Sequence, residues 1–245
     1  MGHSKSLRRT TMYNIDKLGL IALLYSERVN IDISSNFKPG VFLLLLVVLA
    51  FIPFIVMMLT SFVKYSVVLT ILKNAIGLQQ IPPQSVITGL SIILTIYSMQ
   101  PIAQKMYYSA TESFERDSIQ MKLDSVPDLI KAFEAAQPPL TEYLKVHCGE
   151  KELQLFIDAA KERQDKDSLL VLAPAFVITQ LKEAFIIGFR LFIPFLIIDL
   201  LVANLLVALG LNMLTPVTIS LPLKLLIFVL SDGWYLITKN LISNT

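Results

Sequence analysis

Cysteine, histidine and glycine are scarce in this chain of 245 residues, and each scarcity closes off a class of chemistry. A single cysteine, Cys148, excludes an internal disulfide, so thiol usage says nothing firm about the redox compartment. The two histidines, His3 and His147, leave the pair His147 and Cys148 without further ligands at metal spacing. No metal or cofactor is expected. The nine glycines form no phosphate-cradling loop, and no serine lies in a nucleophile-elbow pattern with a buried histidine base. Nothing reads as an enzyme. The net charge of +2 is small and the basic residues are dispersed, which argues against a nucleic-acid partner. Charge itself is sparse, at 16% of residues against about 25% in an ordinary soluble domain. With 54% hydrophobic residues and a mean hydropathy of +0.64, the chain reads as a membrane protein.

The first 40 residues lack the apolar core and small-residue cleavage site of a secretory signal and are read as a polar extension. "MGHSKS" fits a myristoylation pattern too permissive to carry weight, and Met12 is an alternative start. Residues 41–63 form an uncharged run of 23, longer than the roughly 20 needed to span a bilayer core. Pro82 and Pro83 cannot sit mid-helix, so a turn is predicted at 77–83 and a second apolar helix at 84–104. Residues 41–105 thus read as a first apolar helical hairpin. Residues 106–168 hold 13 acidic against 8 basic side chains and read as a soluble segment, with amphipathic helices expected at 127–136 and 140–163. From residue 169 to 245 the chain is apolar again, and Gly210 and Pro216 or Pro222 divide it into helices expected at 172–209 and 217–242. The fold class is an all-α integral membrane protein with about four long apolar segments, often kinked, and a helical soluble insertion.

Orientation signals conflict. The extension carries six basic and three acidic residues, which favours the cytoplasm, yet two spans put it on the same side as the acidic insertion. Short loops weigh more in the positive-inside rule, so the stretch holding Lys64 and Lys73 is placed inside and residues 106–168 outside.

Ionisable residues within apolar helices are costly and usually face protein or a water-filled path. Lys64, Lys182, Glu183, Arg190 and Asp199 stand out here, and Lys73 and Lys224 are expected to snorkel to an interface. Arg190 and Asp199 are nine residues apart, about 180° around a helix and about 13 Å along it, so each needs a partner elsewhere. From chemistry alone, a proton-coupled small-solute carrier using Asp199 and Glu183 as a relay, or a scaffold whose charges specify assembly, are both open readings. The absence of internal inverted repeats weighs against the carrier.

Three stretches in order, "TSFVKYSVVLTILKNAIGLQQIPP" (60–83), "PAFVITQLKEAFIIGFRLFIPFLIIDL" (174–200) and "TPVTISLPLKLLIFVLSDGW" (215–234), closely resemble the FliP/SctR family of the type III secretion export apparatus. An echo in "QPPLTEYLKVHCGEKELQLFIDAAK" (137–161) extends the resemblance to roughly residues 41–242. Lys64, where flagellar members generally carry arginine, and "LQQIPP", where they favour a threonine before the glutamines, point to the injectisome branch rather than the flagellar one.

The resemblance implies a bacterial inner-membrane, multi-pass subunit that assembles as a homopentamer in a helical export gate. Implied partners are SctS/FliQ-type and SctT/FliR-type subunits, an SctU/FlhB-type switch protein, secreted protein substrates and membrane lipid, with no nucleic acid. Many relatives close the pore with a methionine run, and the matching stretch here is Leu211, Asn212, Met213 and Leu214. Leu211, Met213 and Leu214 are then the expected gasket, with Asn212 facing a neighbouring subunit. Asp199, Lys182, Glu183 and Lys64 are expected to make buried polar or assembly contacts, and Arg190 to meet an acidic side chain, a lipid headgroup or solvent. Gln79 and Gln80, with Pro82 and Pro83, form a turn motif whose glutamines either cap the turn or face the pore.

Overall fold

The computed structural model describes residues 39–78, 81–116, 126–160, 166–211 and 213–243. Nearly all of the polar extension, together with Gln79, Gln80 and Asn212, lies outside them. The described residues are helical apart from short turns, with no strand among them. The helices are α1 (Pro39–Leu59), α2 (Phe62–Ile76), α3 (Gln84–Arg116), α4 (Val126–Val146), α5 (Glu150–Ala159), α6 (Leu169–Ala208), α7 (Pro216–Leu230) and α8 (Gly233–Ser243). By contacts the chain divides after Leu44, and the larger unit, from Leu45 onward, carries everything described below.

Glycine and proline punctuation falls where local sterics demand it. Gly77 (φ 90°) and Gly210 (φ 72°) adopt the left-handed conformation after α2 and α6. At each, the glycine and the following residue close a paired reverse bond: Leu78 N to Lys73 O at 3.2 Å with Gly77 N to Asn74 O at 3.0 Å, and Leu211 N to Leu206 O at 2.9 Å with Gly210 N to Val207 O at 3.0 Å. Both are Schellman caps, which satisfy carbonyls that the helix end would leave unpaired. Pro83 offers its carbonyl to Val86 and Ile87 at the start of α3, and Pro216 occupies the first turn of α7.

Four helix boundaries depart from the sequence expectation. The apolar run at 41–63 does not continue straight: the axis turns by 71° between residues 46–59 and α2. Neither glycine nor proline marks this break. The Thr60 hydroxyl instead bonds back to the Val56 carbonyl and accepts from the Phe62 amide at 3.4 Å, so it competes for groups that a continuing helix would use, while Ser61 Oγ lies 2.7 Å from Tyr143 Oη. Helix α3, expected to end near 104, runs on to Arg116, so the change to polar sequence falls inside a helix. Helix α4 passes through Pro138 and Pro139, and the expected gap at 137–139 is found instead at His147–Gly149. The carbonyls deprived of donors belong to exposed Glu134 and half-buried Ala135, where water can substitute, while Leu140, Tyr143 and Leu144 hold the helix down by packing. The expected helix at 217–242 breaks at Asp232 (φ 50°) with a 62° bend. Gly233 follows because a Cβ there would stand 2.2 Å from the Phe228 ring.

The principal core is built on α2, which packs most extensively against α6. Tyr65, Val68, Leu69, Leu72, Ala75 and Ile76 on α2 meet Ala184 and Phe195 of α6, Phe228 of α7, and Ile237 and Leu241 of α8. Gly188 permits close approach, since a Cβ there would lie 2.4 Å from Ile71 Cδ1. A second core joins Leu140, Tyr143 and Leu144 of α4 to Leu172 and Phe176 near the start of α6. Helix α6 has 40 residues and is therefore about 60 Å long, twice the hydrocarbon thickness of a bilayer. Its apolar beginning is covered by the insertion helix α4. Among the described residues, two helices, residues 84–113 and α6, are long and apolar enough to cross a membrane, and up to four if each bent pair counts as one span.

Candidate functional site

Helix α6 carries three of the singled-out charges into ion pairs on three neighbouring helices. Lys182 and Glu183 are consecutive, about 100° apart around the axis, and so serve different faces. Glu183 Oε2 accepts from Lys64 Nζ of α2 at 2.8 Å, with the lysine side chain only 3% exposed. Lys182 Nζ reaches Glu152 Oε1 of α5 at 2.8 Å and ties the insertion to α6. Sixteen residues further on, Asp199 Oδ2 accepts from Lys224 Nζ of α7 at 2.5 Å. Each pair bridges helices rather than stapling one.

The expectation that Lys224 snorkels to an interface is overturned. Its side chain is buried, and its ammonium also donates to the Ala75 carbonyl at 3.2 Å. Ala75 lies in the last turn of α2, where carbonyls lack helical donors and partial negative charge gathers. Lys224 thereby joins α2, α6 and α7 at one point, held by two acceptors within the fold. Asp199 Oδ1 is buried and has no hydrogen-bond partner among the described residues. Lys73 is also largely covered, on the face of α2 that forms the core. Neither Lys64 nor Lys73 lies in a loop, so the placement of a short basic loop on the cytoplasmic side loses its basis. Lys64 is neutralised within the fold by Glu183.

Around the break between α1 and α2 a second polar group gathers. Ser61 is fully buried against Tyr143, and Tyr65 Oη donates to Ser98 Oγ at 2.9 Å. Burial raises the Tyr143 phenol above its ordinary value despite the hydrogen bond from Ser61. In the turn after α4, burial and then the Glu152 carboxylate push the Cys148 thiol up to about 11. Glu152 itself is held below the usual carboxylate range, first by its hydrogen bond with Lys182. The Gly149 amide donates to Thr179 Oγ1 at 2.9 Å, a further tether of α5 to α6.

The loop between α6 and α7 presents apolar side chains outward. Met213 is 99% exposed, and Leu211 and Leu214 are about half exposed. Asn212 between them lies outside the described residues, as do Gln79 and Gln80. Pro82 is half-buried and Pro83 exposed in the turn before α3. Arg190 is exposed on α6 and makes no pair with Asp199.

Sequence reasoning singled out Lys64, Lys182, Glu183 and Asp199 without their partners. Lys224 was visible as a charge inside an apolar helix, and its sign relative to Asp199 was the one available clue. Glu152, Ser61 and Tyr143 gave no signal, because a glutamate in an acidic segment and hydroxyls in helices are ordinary.

The profile of the FliP family matches residues 45–241. Yop proteins translocation protein R of Yersinia pestis is 40% identical over 210 residues, covering 82% of this chain and 93% of that relative. Flagellar biosynthetic protein FliP of Pectobacterium carotovorum subsp. carotovorum is 43% identical over 203 residues, covering 81% and 76%. Hypersensitivity response secretion protein HrcR of Ralstonia nicotianae is 36% identical over 220 residues, covering 85% and 98%. The matched region contains every ion pair described above. An all-helical chain of the bacterial inner membrane, it belongs to the FliP/SctR family of the type III secretion export apparatus.

Proposed function

We propose that this chain is a non-enzymatic, pore-forming subunit of the export gate, acting as a homopentamer that conducts unfolded proteins across the inner membrane. The observation that carries the reading is the loop of Leu211, Met213 and Leu214, which a rigid Schellman cap holds outward between two apolar helices. Exposed leucine and methionine left uncovered by the described residues are costly in water and suit a ring closed by copies of the same loop. Methionine adds compliance, since its unbranched side chain adapts to irregular gaps. Asn212 then faces a neighbouring subunit. Much apolar surface on α3, α6 and α7 also remains uncovered, which fits lipid on one side and SctS/FliQ-type, SctT/FliR-type and SctU/FlhB-type subunits on others.

Changing Met213 and Leu214 together to alanine should raise small-ion leak across the membrane while complex yield holds. Unchanged leak with an intact complex sinks the gasket assignment. Native mass of the complex tests the rest: five copies with small two-helix partners support the reading, and a monomer or dimer opposes it. The names of the relatives include both flagellar and translocation proteins at similar identity, so the injectisome branch rests on Lys64 and the "LQQIPP" turn. The carrier alternative gains no support, because Asp199 and Glu183 are each engaged by a lysine.

A further inference from the structure

We propose that the face between α6 and α8 is a binding site for an anionic phospholipid, with Arg190 holding the phosphate and an adjoining apolar groove taking the start of an acyl chain. Two cavities of about 310 Å³ each open on this face and share three lining residues, Ile187, Arg190 and Asn240. Beyond the shared residues, one cavity is walled by Leu191 of α6 and by Leu236, Ile237 and Leu241 of α8, all apolar. The other is walled by Lys64, Glu183 and Ile186. A ligand spanning both must be polar at one end and aliphatic at the other. That is the chemistry of a lipid.

The charges select which lipid. Lys64 and Glu183 face the polar cavity but pair with each other at 2.8 Å and cancel. Arg190 is exposed and has no hydrogen bond or ion pair to any described residue, so the lining keeps one net positive charge. A phosphodiester carries one negative charge, and the guanidinium fork matches two phosphate oxygens at once. Asn240 lines both cavities and so marks their junction. A zwitterionic headgroup would bring a cation beside Arg190, the one uncompensated charge of the lining, and so match it less well. Free phosphate would use the polar half and leave the apolar groove without an occupant.

Trp234 is the only tryptophan in the chain and lies on α8, in the same helix as Leu236, Ile237 and Asn240. At i, i+3 and i, i+7 spacing from Ile237 and Leu241 it borders the apolar cavity, so its emission reports lipid arriving there. The full chain in detergent micelles is titrated with brominated phosphatidylglycerol, phosphatidylethanolamine or phosphatidylcholine, whose bromines quench tryptophan on contact. Phosphatidylglycerol should reach half-maximal quenching at about one tenth the concentration of either zwitterionic lipid, the effect of about one charged hydrogen-bonding group. Arg190→Leu should remove that preference, Arg190→Lys should restore part of it, and Lys239→Gln, the nearby cation stacked over Tyr235, should leave it intact. Excess inorganic phosphate should not displace the lipid. The proposal is overturned if the three lipids quench alike, if Arg190→Leu keeps the preference, or if phosphate competes fully and marks a soluble-anion site. Should Arg190→Leu fold poorly, Arg190→Gln and Arg190→Lys carry the test, and an unchanged preference in both overturns it.

Discussion

Residues 46–59 of α1 and the whole of α2 come from one nearly continuous apolar stretch, yet they end in opposite environments. The α1 portion carries no charge and none of its residues is buried: only Val56 and Leu59 are half-covered. In α2, which carries Lys64 and Lys73, nine of 15 residues are buried and most of the principal core rests on them. The more hydrophobic helix is the one left outside. In water this would be perverse, but lipid tails are as apolar as leucine, so hydrophobicity alone gives a membrane helix no reason to pack inward. What draws α2 inward is fit and polar partners: Lys64 to Glu183, the Ala75 carbonyl to Lys224, and Tyr65 to Ser98.

The largest expected effect comes from matched truncations in the two helices. Leu72→Ala empties a fully buried site in the principal core and should cost about 3 kcal/mol, chiefly from the cavity. Leu49→Ala removes a side chain that is 56% exposed and should stay within about 0.5 kcal/mol. Thermal unfolding of the purified protein in detergent separates them. Equal losses would mean that α1 also packs inside the chain, and the contrast would collapse. A smaller step tests polar fastening. Lys224→Met strands Asp199, whose Oδ1 is already unpartnered, and should cost about 2 kcal/mol, below the range for fully buried pairs because Asp199 is a third exposed. Adding Asp199→Asn should recover much of the loss, since no unpaired charge then remains. If the double variant is no better than the single one, the pair is not what holds α7 to α6.

Where a boundary depends on local sterics, it was legible in the sequence: the turn ending at Pro83, the start of α3 at Gln84, Gly210 closing α6 and Pro216 opening α7. Where a boundary depends on tertiary partners, it was not. The break at Thr60 and Ser61 carries a buried hydroxyl bond to Tyr143, 82 residues away, and no window around 60 contains that partner. Pro138 and Pro139 mislead in the reverse direction, because packing against α6 holds a helix that propensity alone would end. The charges followed the same division. Placing Asp199 and Glu183 in apolar sequence was enough to demand partners, but naming Lys224 and Lys64 required helices from distant parts of the chain to be brought side by side.

The smallest effect lies at the pair that joins the insertion to α6, where solvent screening leaves little energy and pH is the better probe. The hydrogen bond from Lys182 lowers the Glu152 carboxyl below its ordinary 4.5. A carboxylate whose folded value is depressed adds stability above the unfolded value and loses it as pH falls through the folded one. Protection of the α5 backbone amides against hydrogen exchange, corrected for intrinsic rate, should therefore be flat above pH 4.5 and decline below it. In Lys182→Gln the carboxyl loses the largest cause of its lowering, so the decline should shrink while the Gly149 to Thr179 tether keeps α5 in place. An identical acid profile in wild type and variant would show that the tether, not the ion pair, docks α5. The insertion would then be held as α2 is, by fit and neighbouring hydroxyls, but with its charges left to solvent.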